Sequence, residues 1–245
     1  MEGVSTSTAG FIGVTEKGPK DGAPVLVTNF ADFRRTFGGY LSELEFGEYR
    51  FLAYSVNQFF ANGGSRCYIK RVVPADAAYA ASTEAVDSAP VVFYAKDPGA
   101  WGNKVTVKVA PSSKFKTQIL AIVPTANTVK YQVKNSSGFS EGDVVAFLDG
   151  EKRVETVVTS IDGDFITLSD ALDETAVDTA LVPSKVLCTL EADIEIAYDG
   201  QIEKYEFVSL NTNTPDYISQ KLAKSELAVV AVSAPEKPVS SKHRI

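Results

Sequence analysis

Leu52-Ala-Tyr-Ser-Val-Asn-Gln-Phe-Phe-Ala-Asn-Gly-Gly-Ser-Arg-Cys-Tyr-Ile-Lys-Arg71 reads as a helix, a stop and a strand in succession. Leu52, Val56, Phe59 and Phe60 recur at three- and four-residue intervals, the apolar stripe of an amphipathic helix. The spacing predicts that helix from about Glu48 to Asn62. Gly63-Gly64 ends it, because glycine accepts the left-handed backbone that closes a helix. Cys67 to Val73 then reads as a strand buried on at least one face. A helix that runs straight into an apolar strand is the grammar of an α/β layer.

The same grammar extends toward the start of the chain. Ala9-Gly-Phe-Ile-Gly-Val14 is a short apolar strand, and Glu16-Lys-Gly-Pro19 punctuates it as a turn. Pro24-Val-Leu-Val27 is a second strand. Thr28 or Asn29 can cap a helix in which Phe30, Phe33 and Phe37 recur at helical spacing, and Gly38-Gly39 closes it. Downstream, Ala75 to Ser82 is predicted as a short surface helix. Pro98-Gly99 and Trp101-Gly102-Asn103 form a tight corner before Lys104-Val-Thr-Val-Lys-Val109, which alternates with period two as a half-buried strand does.

From Val129 to Leu190 the pattern changes. Val129 to Val133, Val144 to Leu148, Arg153 to Ile161 and Phe165 to Leu168 are short alternating runs separated by Gly-Asp turns, which predicts a small β-barrel or sandwich. Ala192 to Tyr198 and Ile202 to Val208 flank Asp199-Gly200, a two-residue hairpin signal. Pro215 to Lys224 suits a helix with Tyr217, Ile218 and Leu222 on one face. Leu227 to Val232 is a fully apolar strand, and the tail from Ser233 is polar. The expected class is α+β: an incomplete α/β sheet layer with an inserted small antiparallel β-barrel or sandwich. Residues 1–92 form the α/β part, 93–124 and 186–235 a mixed β-rich segment joining it, 125–185 the insert, and 236–245 a flexible tail.

Composition narrows function. Of 245 residues, 44% are hydrophobic and 22% charged, ordinary values for a globular protein. No apolar run approaches the roughly 20 residues that span a bilayer. Met1 to Gly10 has neither a basic patch nor a hydrophobic run, so an intracellular origin is the expectation. The net charge of −7 is concentrated: Gly138 to Gly200 holds 15 acidic residues against three basic ones, while Met1 to Ala75 has seven and eight. So acidic a middle repels phosphate backbones, which argues against nucleic-acid binding. Cys67 and Cys188 sit in separate apolar runs and read as small buried hydrophobes.

The catalytic inventory is thin. The single histidine, His243, lies three residues from the end, so the sequence offers no His-based triad and no multi-His metal site. Gly38-Gly39 and Gly63-Gly64 follow helices, whereas phosphate-cradling glycines precede one. Ser5-Thr-Ser-Thr8 supplies hydroxyls without a neighbouring base. Asp162, Asp164, Asp170, Asp173 and Glu174 cluster in the β-rich middle, but mostly at turn positions where Asp bonds its own backbone. They lack the regular ligand series of a calcium loop. Trp101 fits a packing role at a corner better than a sugar platform. No catalytic, cofactor-binding or metal-binding residue is assigned, no cofactor is expected, and the chain reads as a non-enzyme.

Five blocks carry a family resemblance. They are Glu2-Gly-Val-Ser-Thr-Ser-Thr-Ala-Gly-Phe-Ile-Gly-Val-Thr-Glu-Lys-Gly-Pro19, Val27-Thr-Asn-Phe-Ala-Asp-Phe-Arg-Arg-Thr-Phe-Gly-Gly39, the Leu52 to Arg71 stretch, Asp97-Pro-Gly-Ala-Trp-Gly-Asn-Lys-Val-Thr-Val-Lys-Val109, and a weaker set, Glu206 to Leu210 with Tyr217-Ile-Ser and Ser225 to Val229. In this order they resemble the front and middle of contractile tail sheath proteins, found on myophage tails, R-type bacteriocins and phage-like injection particles. That resemblance implies a virion or particle subunit that is assembled in the bacterial cytoplasm. It would polymerise with its own copies around an inner tail tube, contact a baseplate, and contract to drive the tube through a target envelope. Neither nucleic acid nor membrane is an expected partner.

Family members also carry an extended arm before the first block and a tube-contacting α/β region with a second arm after the last, and this sequence shows neither. The chain alone is therefore expected not to form sheath. The strands Phe11 to Val14, Cys67 to Val73 and Leu227 to Val232 are expected in one sheet with an exposed edge. The acidic insert is expected on the particle's outside. An adhesive or carbohydrate-binding β-module, resting on the insert and Trp101, is the alternative, and a carboxylate-based hydrolase is a third reading.

Overall fold

A computed structural model of the chain describes residues 8–82, 91–125, 129–149, 152–169 and 185–232. These part into two compact units. The first comprises the residues up to Ala81 with Tyr94–Val105 and Glu226–Ala228, and the second comprises the others. The class is mixed α+β with a closed six-stranded antiparallel barrel and partial sheets.

In the first unit, β1 (Thr8–Gly13) runs parallel to β3 (Arg66–Arg71), and β2 (Val25–Val27) pairs antiparallel on the other side of β3. Phe11 lies beside Ile69, and Val25 lies opposite it. Helices α1 (Phe30–Phe37) and α3 (Leu52–Ala61) cover one face of this sheet, burying Phe33, Phe37, Leu52 and Val56 against Val27, Cys67 and Ile69. Asn29 caps α1 by accepting from the Asp32 amide at 2.7 Å.

The predicted Glu48 to Asn62 helix is shorter. Glu43–Phe46 forms α2, Gly47 breaks it at φ 50°, and Gly47–Phe51 is a 3-10 turn, so regular helix begins at Leu52. Ala75 to Ser82 is not helical. Its backbone is drawn into pairing, with Ala81 bridged to Tyr94, Ala95 donating to Ala80 O at 2.8 Å and Gly99 donating to Ala78 O at 2.9 Å. Local helix preference yields there to the hydrogen bonds an adjacent extended segment offers.

Leu227 to Val232 was expected beside β1 and β3. Instead β14 (Ala228–Val232) pairs with β4 (Val91–Ala95) in a separate two-stranded sheet. The free side of β3 is taken by β2, a three-residue strand, which leaves β1 as an edge among the described residues.

In the second unit, β5 (Thr106–Ser112), β12 (Glu191–Tyr198) and β13 (Gln201–Val208) form a three-stranded antiparallel sheet. Asp199 and Gly200 close the last hairpin at φ 46° and 82°, the signature of a type I′ turn. The chain leaves β5 to enter the barrel at β6 (Lys116–Pro124) and returns through β11 (Val186–Thr189), which pairs with β6. Between them run β7 (Val129–Val133), β8 (Val144–Asp149), β9 (Lys152–Asp162) and β10 (Phe165–Leu168). The barrel thus spans Lys116 to Thr189, wider at both ends than 125–185. Its order, β10-β7-β6-β11-β8-β9, leaves no open edge, and Ile119, Tyr131, Phe147, Ile166 and Leu187 fill its interior.

The Pro215 to Lys224 helix is also trimmed, to α4 (Ile218–Lys221) and a 3-10 turn over Leu222–Lys224. Just before it, Asp216 accepts from Lys114 at 2.5 Å and from Lys221 at 2.9 Å, tying α4 to the segment between β5 and β6. Those bonds hold its carboxyl below the usual range, chiefly through Lys114. A depressed folded pKa means stability that is full above the unfolded value, about 3.9, and fades as pH falls below it. Asp216→Asn should therefore melt below wild type at pH 7, with the gap closing as the pH drops below 4. A gap independent of pH would contradict the assignment.

Candidate functional site

The most constructed polar site is a knot around Arg71 in the first unit. Alternation along β3 turns Cys67, Ile69 and Arg71 to the buried face, so a guanidinium stands where the pattern calls for an apolar side chain. Arg71 is only 4% exposed. Its Nη1 donates to Gly18 O at 2.8 Å, and its Nη2 donates to Pro98 O at 2.8 Å and Glu16 O at 3.2 Å. Its Nε is buried without a hydrogen-bond partner among the described residues, and the nearby Asp97 carboxylate supplies the compensating charge.

The two charges feel burial more than each other. Desolvation pulls the Arg71 guanidinium down and pushes the Asp97 carboxyl up. The Arg71 charge and the Gly18 amide, which bonds Asp97, oppose the latter shift. Around them the backbone is stitched closely. Lys17 N–H donates to Phe37 O at 3.2 Å, Gly39 N–H donates to the Glu16 carboxylate at 3.1 Å, and the Trp101 indole donates to Asp97 O at 3.1 Å. The buried Lys17 ammonium lies 5.8 Å from the Trp101 ring centre. Gly18 sits at φ 101°, and a side chain there would meet the Phe37 ring and Thr36 O within 3 Å, so the approach requires glycine.

A cleft of about 630 Å³ opens beside the knot, lined among others by Tyr40, Phe46, Tyr79, Trp101 and Lys104. Its chemistry is modest. Arg71 turns Nη1 and Nη2 to carbonyls, and Glu16, one of two carboxylates along the wall with Glu45, is engaged by the Gly39 amide. The arrangement holds three chain segments in fixed register.

The residues singled out from sequence fall as follows. Trp101 is 3% exposed, so it packs and presents no platform to a sugar. Cys67 and Cys188 are both free and buried. Asp162 pairs with Lys130 at 3.5 Å beside the Gly163-Asp164 turn, while Asp170, Asp173, Glu174 and His243 lie outside the described residues. Thr8, the last of the Ser5 to Thr8 hydroxyls, accepts from Arg66 Nε at 2.9 Å, and Ser5, Thr6 and Ser7 are outside. Among the described residues, no three His, Cys, Asp or Glu side chains gather to hold a metal, and no helix is long and apolar enough to cross a membrane. Sequence reading missed the Arg71 knot, although a charge at an inward position of a period-two strand was the signal for it.

No protein-family model and no curated protein sequence matches the chain. Among solved structures it is similar to a sheath tail protein of Listeria innocua at 16% identity and a TM-score of 0.28, over 75% of this chain and 33% of that one. The chain thus spans about a third of the length of that structure.

Removing the guanidinium strands a half-buried carboxylate and three carbonyls. Arg71→Met should cost about 3–5 kcal/mol in urea unfolding, and Arg71→Lys should recover only part, since an ammonium lacks the planar fork. A loss below about 1 kcal/mol for Arg71→Met would contradict the knot. Burial pushes the Cys67 thiol up to about 11. In a Cys188→Ala background Cys67 should therefore resist a thiol reagent at pH 8 until urea unfolds the protein, and ready reaction in the native state would contradict its placement.

Proposed function

We propose that this chain is a structural subunit of a contractile tail sheath or a related phage-like particle, and that its role is mechanical and not catalytic. The supporting observation is the convergence of three resembling blocks on one buried side chain. Arg71 closes the third block, Gly18 and Glu16 belong to the first, and Pro98 belongs to the fourth. The second joins through the bonds of Phe37 and Gly39 to Lys17 and Glu16. The sequence signature and the packing of the first unit thus concern the same residues.

A rigid unit built this way suits a part that is tiled and loaded, and a sheath subunit needs no nucleotide, because contraction is a passage between two packings of the same parts. Its partners in this reading are copies of itself, an inner tube protein and a baseplate. The closed, acidic barrel suits an outward-facing position. The sugar-binding alternative loses its main support with Trp101 in the interior.

The test is immunogold microscopy of particles from producing cells, using antibody raised against the barrel. Gold should decorate tails along their shaft at a regular repeat. Label confined to one tail end, or absent from particles, would overturn the reading.

A further inference from the structure

Two surfaces of the first unit are more apolar than a solvated face needs, and they are built from different elements. One is the sheet face turned away from α1 and α3. Strand alternation points Ile12 (75% exposed), Leu26 and Tyr68 outward there, with Tyr68 opposite Leu26 and Ile12 beside Lys70. The charged residues of that face, Arg66 and Lys70, are both cations.

The other surface runs from Tyr40 to Tyr54. Leu44 is 95% exposed and Tyr49 74%, and Tyr40, Phe51 and Tyr54 are also open to solvent. Their rings are already assembled: Phe30 to Tyr40 at 5.5 Å, Tyr40 to Tyr54 at 4.5 Å, and Tyr54 to Phe51 at 6.4 Å between centroids. Asn57 fixes the Tyr40 hydroxyl at 2.8 Å. This stretch carries Glu43, Glu45 and Glu48 against one cation, Arg50, which already pairs with Glu43 at 3.2 Å.

Preassembled aromatic rings lose little conformational freedom when covered, which makes them favourable anchors of an interface. The two surfaces have opposite rims, one cationic and one carboxylate-rich. They are also different surfaces, so joining them between copies gives a head-to-tail contact that does not close on two molecules. We propose that the acidic aromatic strip of one copy seats on the cationic sheet face of the next, giving short linear stacks of this chain. The contact deepens the polymer-subunit reading and rests on it for biological meaning, but it stands or falls separately in solution.

The experiment is analytical ultracentrifugation of three folded proteins: wild type, Leu44→Ser with Tyr49→Ser, and Ile12→Ser with Tyr68→Ser. Across roughly 10 µM to 1 mM, the range in which weak contacts fill, the wild-type mean mass should climb past that of a dimer and fall back as salt is raised. Each variant alone should stay monomeric. An equimolar mixture of the two should stop at a dimer, because it holds one intact strip and one intact sheet face.

A monomeric wild type, a variant that still self-associates, or a mixture that stays monomeric would each overturn the proposal. Should a serine variant not fold, Glu48→Lys and Arg66→Glu serve instead: each alone associates less than wild type and the mixture regains it, and a failure to regain counts against the contact. Tails labelled along their shaft by a protein that is monomeric in solution would reject this contact and leave the sheath reading standing.

Discussion

A guanidinium placed inside a protein must find acceptors for its donors or destabilise the fold that holds it. Arg71 finds three backbone carbonyls, and the chain segments that supply them are otherwise distant in sequence. The loop after β1, the corner after β4 and the end of β3 are therefore held by one side chain. Much of the first unit follows from this. The Gly18 backbone must come close, Asp97 must stay near to balance the charge, and Trp101 must turn inward to cap the corner. The cost of burying the guanidinium is offset by these hydrogen bonds, which tie the loops to the end of β3. Such an arrangement adds rigidity where a three-stranded sheet with a three-residue edge strand would otherwise be slight.

The second unit solves the same problem differently. Its barrel strands bury an apolar interior and close on themselves, so that core has no open edge. The chain enters and leaves through the neighbouring strands β6 and β11, both continuous with the three-stranded sheet, which is how an inserted barrel can be carried without a long linker. Glu141, Glu155, Asp162 and Asp164 are exposed on it.

Much of this was legible in the sequence, and the reasons are local. The Phe30, Phe33, Phe37 stripe and the Asn29 cap define α1 because both signals act within one turn. Strands β7 to β10 emerge from alternation and turn chemistry, and Asp199-Gly200 from the backbone angles that a two-residue hairpin demands. What was not legible depends on distant partners. Ala75 to Ser82 has helical composition but is claimed by hydrogen bonds from residues near 95 and 99, and β14 takes β4 as its partner across more than 130 residues of sequence. The barrel's first strand was overlooked because β6 carries a bulge between Ile119 and Ala121 that breaks its alternation. Arg71 itself was visible as a letter and invisible as a site, since its acceptors are backbone atoms, which sequence does not print.

If the Arg71 knot makes these loops part of the rigid body, their amides must open only when the sheet does. Native-state hydrogen exchange measures this directly at Lys17, Gly18, Gly39 and Gly99. The account predicts protection at these four positions equal to that of Ile69 and Arg71 in β3. Fast exchange at the loop amides while β3 remains protected would contradict it.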